Sequence, residues 1–232
     1  MTLPKMNAYG VEQDAGLRDQ EIVPTRKRSA LIAKRFVDII GASLFFILFG
    51  WVFIIVWIGV LFTTGTPATY KHIRIGKNGK QFPCLKFRSM VVNSEEVLRE
   101  LLLRDEAANK EWLSTFKLRN DPRITKFGRF IRKSSLDELP QFWNVLRGDM
   151  SLVGPRPVVQ NELNEKYGPA AAYYTAMRPG ITGPWQVSGR SDLSYTERIS
   201  LDMNYVRSWT ITGDIKLVFS TVAVVFKSKG SY

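Results

Sequence analysis

The chain has 232 residues, 45% of them hydrophobic, and 33 Lys and Arg against 21 Asp and Glu give a net charge of +12. That length suits one domain with a real core, and the charge favours polyanions: nucleic acid, anionic lipid headgroups or phosphorylated substrates. A single cysteine, Cys84, excludes an internal disulfide, and with His72 as the single histidine it argues against zinc; any metal would be a hard cation on carboxylates and phosphates, for which Mg²⁺ is the natural choice.

Residues 1–30 are polar, carry Gly and Pro, lack apolar periodicity and read as a flexible N-terminal tail. Phe36 to Phe62 is the most apolar stretch, with Asp38 its only acid and no base inside. At about 27 residues it exceeds the roughly 20 that a bilayer-crossing helix needs. It is too long and too far from Met1 for an ordinary signal peptide. Arg26, Lys27, Arg28, Lys34 and Arg35 precede it, and Lys71, Arg74, Lys77 and Lys80 follow. Basic residues mark the cytoplasmic side, so two basic flanks predict a segment, residues 31–66, that enters the membrane, bends and returns. Gly50, between Gly41 and Gly59, offers the break. A plain spanning anchor is the alternative.

Tyr70, Ile73 and Ile75 lie on one side of Asn78-Gly79, and Phe82, Leu85 and Phe87 on the other. This is a strong hairpin signal over Thr69 to Phe87, although Pro83 demotes the second strand to an edge. His72 and Cys84 read as structural. Asn93 with Glu96 opens a helix carrying Val97, Leu98, Leu101 and Leu102 on one face, and Thr125 caps a short basic helix with Lys126, Arg129, Arg132 and Lys133. A helix with Phe142, Trp143, Val145 and Leu146 follows. Leu217 to Phe226, flanked by Lys216 and Lys227, is too short to span, so it is either a core helix or one lying in the membrane interface. The predicted fold class is mostly α with a small β-hairpin (α+β), in which residues 67–232 form a cytoplasmic domain beside the membrane segment.

Ser134 to Pro157, SSLDELPQFWNVLRGDMSLVGPRP, is the stretch richest in chemistry. Ser135 and Glu138 have capping-box spacing, which places Asp137 and Glu138 in the first helical turn; alternatively Pro140 is the first helical residue and the pair lies just before it. Either way two carboxylates sit at a helix N-terminus, where free N–H groups and the macrodipole favour negative charge, so Asp137 is expected to be ionised at neutral pH. An ionised carboxylate can attack phosphorus, and its neighbour can hold Mg²⁺ or manage a proton. Spacing alone favours the plainer reading, that the pair only caps a helix. The expected substrate and phosphate contacts are Lys86, Arg88, Arg132, Arg156 in its rigid Gly-Pro-Arg-Pro setting, Arg178, Gln186 and Arg190. Any one such cation is more often a solvated surface charge. A phosphate-binding P-loop, a dinucleotide fingerprint and a G-x-S-x-G elbow are absent from the sequence.

Together KRFVD, LKFRSM, NDPRITKFG, SSLDELPQFWNVLRGDMSLVGPRP, RPGITG and QVSGR resemble the bacterial sugar transferase family, the monotopic polyprenyl-phosphate phosphoglycosyl transferases, from about Lys34 to the C-terminus. The nearest likeness is the exopolysaccharide branch, whose similar members transfer galactose-1-phosphate. The resemblance implies a UDP-sugar donor, release of UMP, and undecaprenyl phosphate as acceptor. It implies Asp137 as covalent nucleophile, Glu138 as its assistant through Mg²⁺ or proton transfer, and Arg156 on phosphate. It also implies a re-entrant helix hairpin holding the catalytic domain on the cytoplasmic face of the bacterial inner membrane, with Lys34 and Arg35 at headgroup level. Gly50-Trp51 replaces the family's usual Ser-Pro at the bend, and Pro184 stands before Trp185-Gln186 where a bulkier residue is usual. Without the multi-helix N-terminal region of larger relatives, the chain resembles a minimal catalytic unit. UDP-galactose and UDP-glucose lead among donors, membrane lipid is an expected partner, nucleic acid is not, and a homo-oligomer is left open. The rival reading is a membrane-tethered basic module that binds anionic lipid or nucleic acid without catalysis, and a third is a structural partner in a polysaccharide export complex.

Overall fold

The computed structural model describes residues 23–115, 117–188 and 193–226. Most of the expected tail lies outside these residues, and its end at Arg28 already belongs to the first helix.

Helix α1 (Arg28–Thr64) runs uninterrupted for 37 residues, about 55 Å at 1.5 Å per residue. It is long and apolar enough to cross a membrane by length and composition. Gly50, expected as the break, lies inside the helix, and a Cβ there would meet nothing. The expected re-entrant bend therefore has no counterpart in the helical assignment, because glycine lowers helix propensity without removing a hydrogen bond. One stripe is buried: Lys34, Asp38, Ala42, Val56, Val60 and Thr64. The opposite face is apolar and open, with Ile47 78% and Phe62 89% exposed. Both ends of the buried stripe meet the same body. Near the start Lys34 Nζ donates to Val153 O at 2.9 Å, and near the end Val56 and Val60 share a core cluster with Phe87 and Ile131.

The predicted hairpin is present. Strand β1 (Thr69–Ile75) pairs antiparallel with β2 (Gln81–Phe87), placing His72 opposite Cys84 and Tyr70 opposite Lys86. Asn78 and Gly79 both take positive φ, 58° and 75°, as the Asn-Gly signal requires. Helices α2 (Ser94–Arg104) and α3 (Glu106–Thr115) pack on each other. Asn93 stands at the N-cap of α2 as expected but makes no side-chain cap bond. Helix α4 (Lys126–Lys133) is capped by Thr125, whose hydroxyl accepts from the Gly128 N–H at 2.8 Å. Gly128 is needed there because a Cβ would strike the Ser89 carbonyl. A 3₁₀ turn over Leu136–Glu138 leads into α5 (Gln141–Arg147).

The rest was less visible in the sequence. A second sheet pairs β3 (Ser151–Val153) with β4 (Gly180–Thr182) in parallel. Gly154 lies so close to the Arg178 carbonyl and the Gly180 amide that a side chain would not fit. Between these strands run α6 (Gln160–Glu162), a π turn, a 3₁₀ turn and α7 (Ala171–Ala176). After β4 come α8 (Pro184–Val187), α9 (Tyr195–Ser208) and α10 (Ile211–Phe226). The capping box of Ser194 and Glu197 starts α9, a sequence signal of Ser-x-x-Glu form that went unused. Helix α10 contains the apolar run Leu217 to Phe226 and packs on α8 and both strands of the second sheet. Its Phe219 remains 71% exposed.

Candidate active site

Asp137 and Glu138 occupy the 3₁₀ turn just before α5, so the second of the two sequence readings holds. The capping box does not form. Ser135 sits in the left-handed region (φ 57°) and makes no side-chain cap bond. Leu136 and Leu139 on either side of the pair pack on the core cluster that includes Val56 and Val60 of α1, which sets the turn against that helix.

Lys86 of β2 reaches over to the pair. Its Nζ donates to Glu138 Oε1 at 2.6 Å and lies 3.8 Å from Asp137 Oδ2. Burial lowers the Lys86 pKa, but Glu138 and Asp137 outweigh it and the net shift is upward, so the ammonium is kept. Arg132 of α4 donates Nε to Ser89 Oγ at 2.7 Å and lies close enough to Asp137 to lower its pKa. Asp137 is half-enclosed, and burial is the largest influence on it. Together with the Glu138 charge, burial outweighs Lys86 and Arg132 and pushes the carboxyl up to about 6. With its pKa at about 6 Asp137 is still ionised at neutral pH, but against the cost of desolvation, which the helix-end argument did not include.

Behind Arg132 stands a pair that sequence reasoning missed. Arg123 grips Asp121 by Nε–Oδ1 at 2.8 Å and Nη2–Oδ2 at 2.6 Å, and its guanidinium lies 5.0 Å from the Trp112 ring centroid. Burial works against the Asp121 charge, but these bonds hold its pKa below the usual range. The signal was Asp-Pro-Arg within NDPRITKFG, to which no role had been given.

Along the hairpin a polar track leads away from the pair. Glu138 and Lys86 act on Cys84, which also feels Arg74, and Arg74 in turn feels Arg156. Cys84 is buried, and burial raises its thiol to about 11. His72 lies on the track, its Nδ1 3.2 Å from an Arg74 Nη. Burial, then Arg74 and Lys86, lower its pKa, so the ring is neutral at pH 7. At the far end Arg156 lies 4.8 Å from the Trp185 ring centroid, in the loop after β3. Gln186, next to Trp185, donates weakly to Ile181 O at 3.4 Å. Asp202, Glu162, Tyr167 and Tyr195 surround this end and were not foreseen.

Several expected contacts are engaged elsewhere. Arg178 donates Nε to Gly148 O at 2.7 Å, and Arg35 donates to Val145 O and Leu146 O at 2.6 and 2.8 Å. Both guanidiniums therefore satisfy carbonyls at the C-terminal end of α5, where cations suit the macrodipole. Lys34 is buried in an ion pair with Asp214 at 2.6 Å. Lys34 thus faces protein rather than headgroups, because the stripe that carries it is the one packed on the domain, while the half-buried Arg35 beside it is held by the α5 carbonyls. Arg88 directs Nη1 to Thr66 O at 3.4 Å. Arg190 lies outside the described residues.

The family model for bacterial sugar transferase matches residues 29–228. An undecaprenyl-phosphate galactose phosphotransferase of Salmonella typhimurium is 53% identical over 206 residues, covering 89% of this chain and 43% of its own length. The exopolysaccharide production protein ExoY of Rhizobium meliloti is 48% identical over 201 residues, covering 87% of this chain and 88% of its own. A UDP-glucose:undecaprenyl-phosphate glucose-1-phosphate transferase of Escherichia coli is 37% identical over 209 residues, 87% of this chain and 42% of its own length. The chain spans less than half the length of the Salmonella and Escherichia relatives. With nearly its whole length matched, this chain belongs to the bacterial sugar transferase family.

Proposed function

We propose that the protein transfers a sugar-1-phosphate from a UDP-sugar to undecaprenyl phosphate at the cytoplasmic face of the inner membrane, through a covalent intermediate on Asp137. The observation that carries this is the asymmetry at the pair: Lys86 bonds Glu138 directly and stands off Asp137, leaving the first carboxylate available between two cations. An Asp137 oxygen attacks the phosphorus bearing the sugar. The bond from that phosphorus to the bridging oxygen breaks, and UMP leaves with the electron pair. A phosphate oxygen of the lipid then attacks the same phosphorus, freeing the Asp137 carboxylate and forming the diphospho-sugar lipid. No proton is gained or lost overall. Lys86 and Arg132 face the charge that builds on the equatorial oxygens.

Among the described residues there is no cluster of three or more His, Cys, Asp or Glu able to hold a metal alone. The pair nonetheless fits Mg²⁺, which is commonly bound by one or two carboxylates together with substrate phosphates. Glu138 is the residue to hold it, sharing its carboxylate with Lys86. When bound, it supplies positive charge to the diphosphate.

The exposed apolar face of α1 supports contact with lipid, as do Phe130 and Trp143, 56% and 53% exposed on the helices either side of the pair. The homologues' names favour galactose first and glucose second as the sugar. The test is to incubate purified protein with undecaprenyl phosphate, Mg²⁺ and a panel of UDP-sugars, scoring UMP. Turnover with UDP-galactose is expected, as is its loss, by on the order of 10⁴-fold or more, in Asp137→Asn. Normal turnover by that variant would overturn the assignment of the nucleophile.

A further inference from the structure

We propose that Ser89, in the loop after β2, is a positioning residue that aims Arg132 end-on at the phosphorus under attack. This rests on the transferase reading above and adds how one of its two cations is held in place. Arg132 donates Nε to Ser89 Oγ at 2.7 Å. Among the described residues this is the one hydrogen bond its guanidinium makes. Both terminal nitrogens are therefore open, and together they match two oxygens of one phosphate. Burial works against the charge of this guanidinium, and Asp137 comes first among the groups that favour it.

Ser89 can act as an anchor because it is itself fixed. It is 7% exposed. Its carbonyl accepts from the Thr125 N–H at 3.2 Å, at the N-cap of α4. The Val91 N–H donates to Arg123 O at 2.9 Å, and Met90 bridges Ile124 in antiparallel fashion. Residues 89–91 thus run bonded alongside residues 123–125. Gly128 and Arg132 stand four residues apart on α4, and so share one face of that helix. A Cβ at Gly128 would strike the Ser89 carbonyl, so glycine is what admits the Ser89 backbone there. One turn further on, the same face brings Arg132 to the Ser89 hydroxyl.

The neighbouring acid is no substitute for this anchor. Asp121 acts on Arg132 through its charge, but both of its oxygens already accept from Arg123, at 2.8 and 2.6 Å. A neutral hydroxyl holds Nε without neutralising the guanidinium, which keeps its whole charge for phosphate. A cation fixed before the reaction stabilises developing charge without having to reorganise. Attack by Asp137 and attack by the lipid phosphate occur at the same phosphorus, so one aimed guanidinium serves both steps.

The test uses the full chain in nanodiscs. Ser89→Ala is expected to lower kcat by about 10- to 100-fold, and to slow both half-reactions in single-turnover assays. The donor KM should rise by no more than about fivefold. Ser89→Thr, which keeps the hydroxyl, should recover part of the rate. The deciding comparison is made in an Arg132→Met background. There Ser89→Ala should change kcat by less than about twofold, because the hydroxyl has nothing left to hold. Equal losses in the two backgrounds overturn the proposal, since a serine that only supports the fold would weaken both alike. Should Ser89→Ala not fold, Ser89→Cys keeps a side chain of similar shape with a weak acceptor, and it must show the same non-additivity. Pyrophosphate binding by calorimetry separates this inference from the reading beneath it. Suppose the native chain transfers no sugar, yet Ser89→Ala weakens pyrophosphate binding severalfold and adds nothing to Arg132→Met. The transferase reading would then fall and this arrangement would stand. Sugar transfer with additive losses would defeat the role of Ser89 alone.

Discussion

Lys86 Nζ lies 2.6 Å from Glu138 Oε1 but 3.8 Å from Asp137 Oδ2. One lysine thus immobilises the second acid while only biasing the first. A carboxylate tied by a close ammonium is a poorer nucleophile than one that merely feels it, so the geometry assigns different work to adjacent residues. Lys86→Met is expected to cut kcat by about 10²- to 10³-fold through loss of a transition-state cation. It also removes an influence that lowers the Asp137 pKa. The acidic limb of the pH–rate profile of the residual activity should therefore move to higher pH. A lower rate with an unmoved limb would mean that Lys86 acts only on Glu138.

In the native enzyme that limb should fall near pH 6, where Asp137 becomes ionised. Stability should run the other way. The folded-state pKa is raised above the ordinary 3.8, so folding favours the protonated form. That contribution is fully present below about pH 4 and is lost as pH rises through 6. Asp137→Asn, which cannot ionise, should gain on the order of 1–3 kcal/mol over the native protein at pH 8 and little at pH 4. Thermal melts in detergent at both pH values measure this, and equal differences at the two would contradict it.

Local signals carried most of what could be read ahead. Asn78-Gly79 and Thr125 act through their own backbone and immediate neighbours, so the hairpin and the capped α4 were legible. The Asp137 turn before Pro140 was one of two readings, and the capping-box spacing of Ser135 and Glu138 pointed to the one that does not form. Long-range pairing was not. Lys34 looked like a membrane-flanking charge because its partner, Asp214, lies 180 residues downstream. Strands β3 and β4 have three residues each, too few for an alternating pattern, and parallel pairing leaves no turn signal. The raised pKa of Asp137 was hidden because burial is its largest cause, and burial depends on tertiary packing that a motif does not encode.

The Lys34–Asp214 pair gives a direct test of whether that lysine serves the fold or the lipid. Asp214 also accepts from Tyr205 at 2.8 Å and from Trp209 Nε1 at 2.9 Å, which ties α1, α9 and α10 to the Val153 carbonyl at the end of β3. Lys34→Met leaves a buried carboxylate without its cation and should destabilise the protein by about 3–5 kcal/mol. Asp214→Asn with Lys34→Met should cost less than the sum of the two single changes. Denaturation midpoints check this. If Lys34→Met instead altered binding to anionic vesicles at constant stability, the headgroup role would return.

Helix α1 sets the last expectation. Its first turns are held by Asp214 and Val153 and its last by Phe87, Ile131 and Phe127, all parts of the body that carries Asp137. A helix fastened at both ends to one domain cannot leave those ends on opposite sides of a bilayer unless the packing opens. A lipid contact of the exposed stripe through Ile47, Trp51 and Phe62 would then come from a single side, whether the helix lies along the interface or dips into it. Ser29→Cys in the first turn and Lys71→Cys beyond the last should both react with a membrane-impermeant thiol reagent from the cytoplasmic side only. The native Cys84 is buried and should stay silent. Labelling of the two positions from opposite sides would require α1 to span, and with it the loss of either the Lys34 or the Val60 contacts seen here.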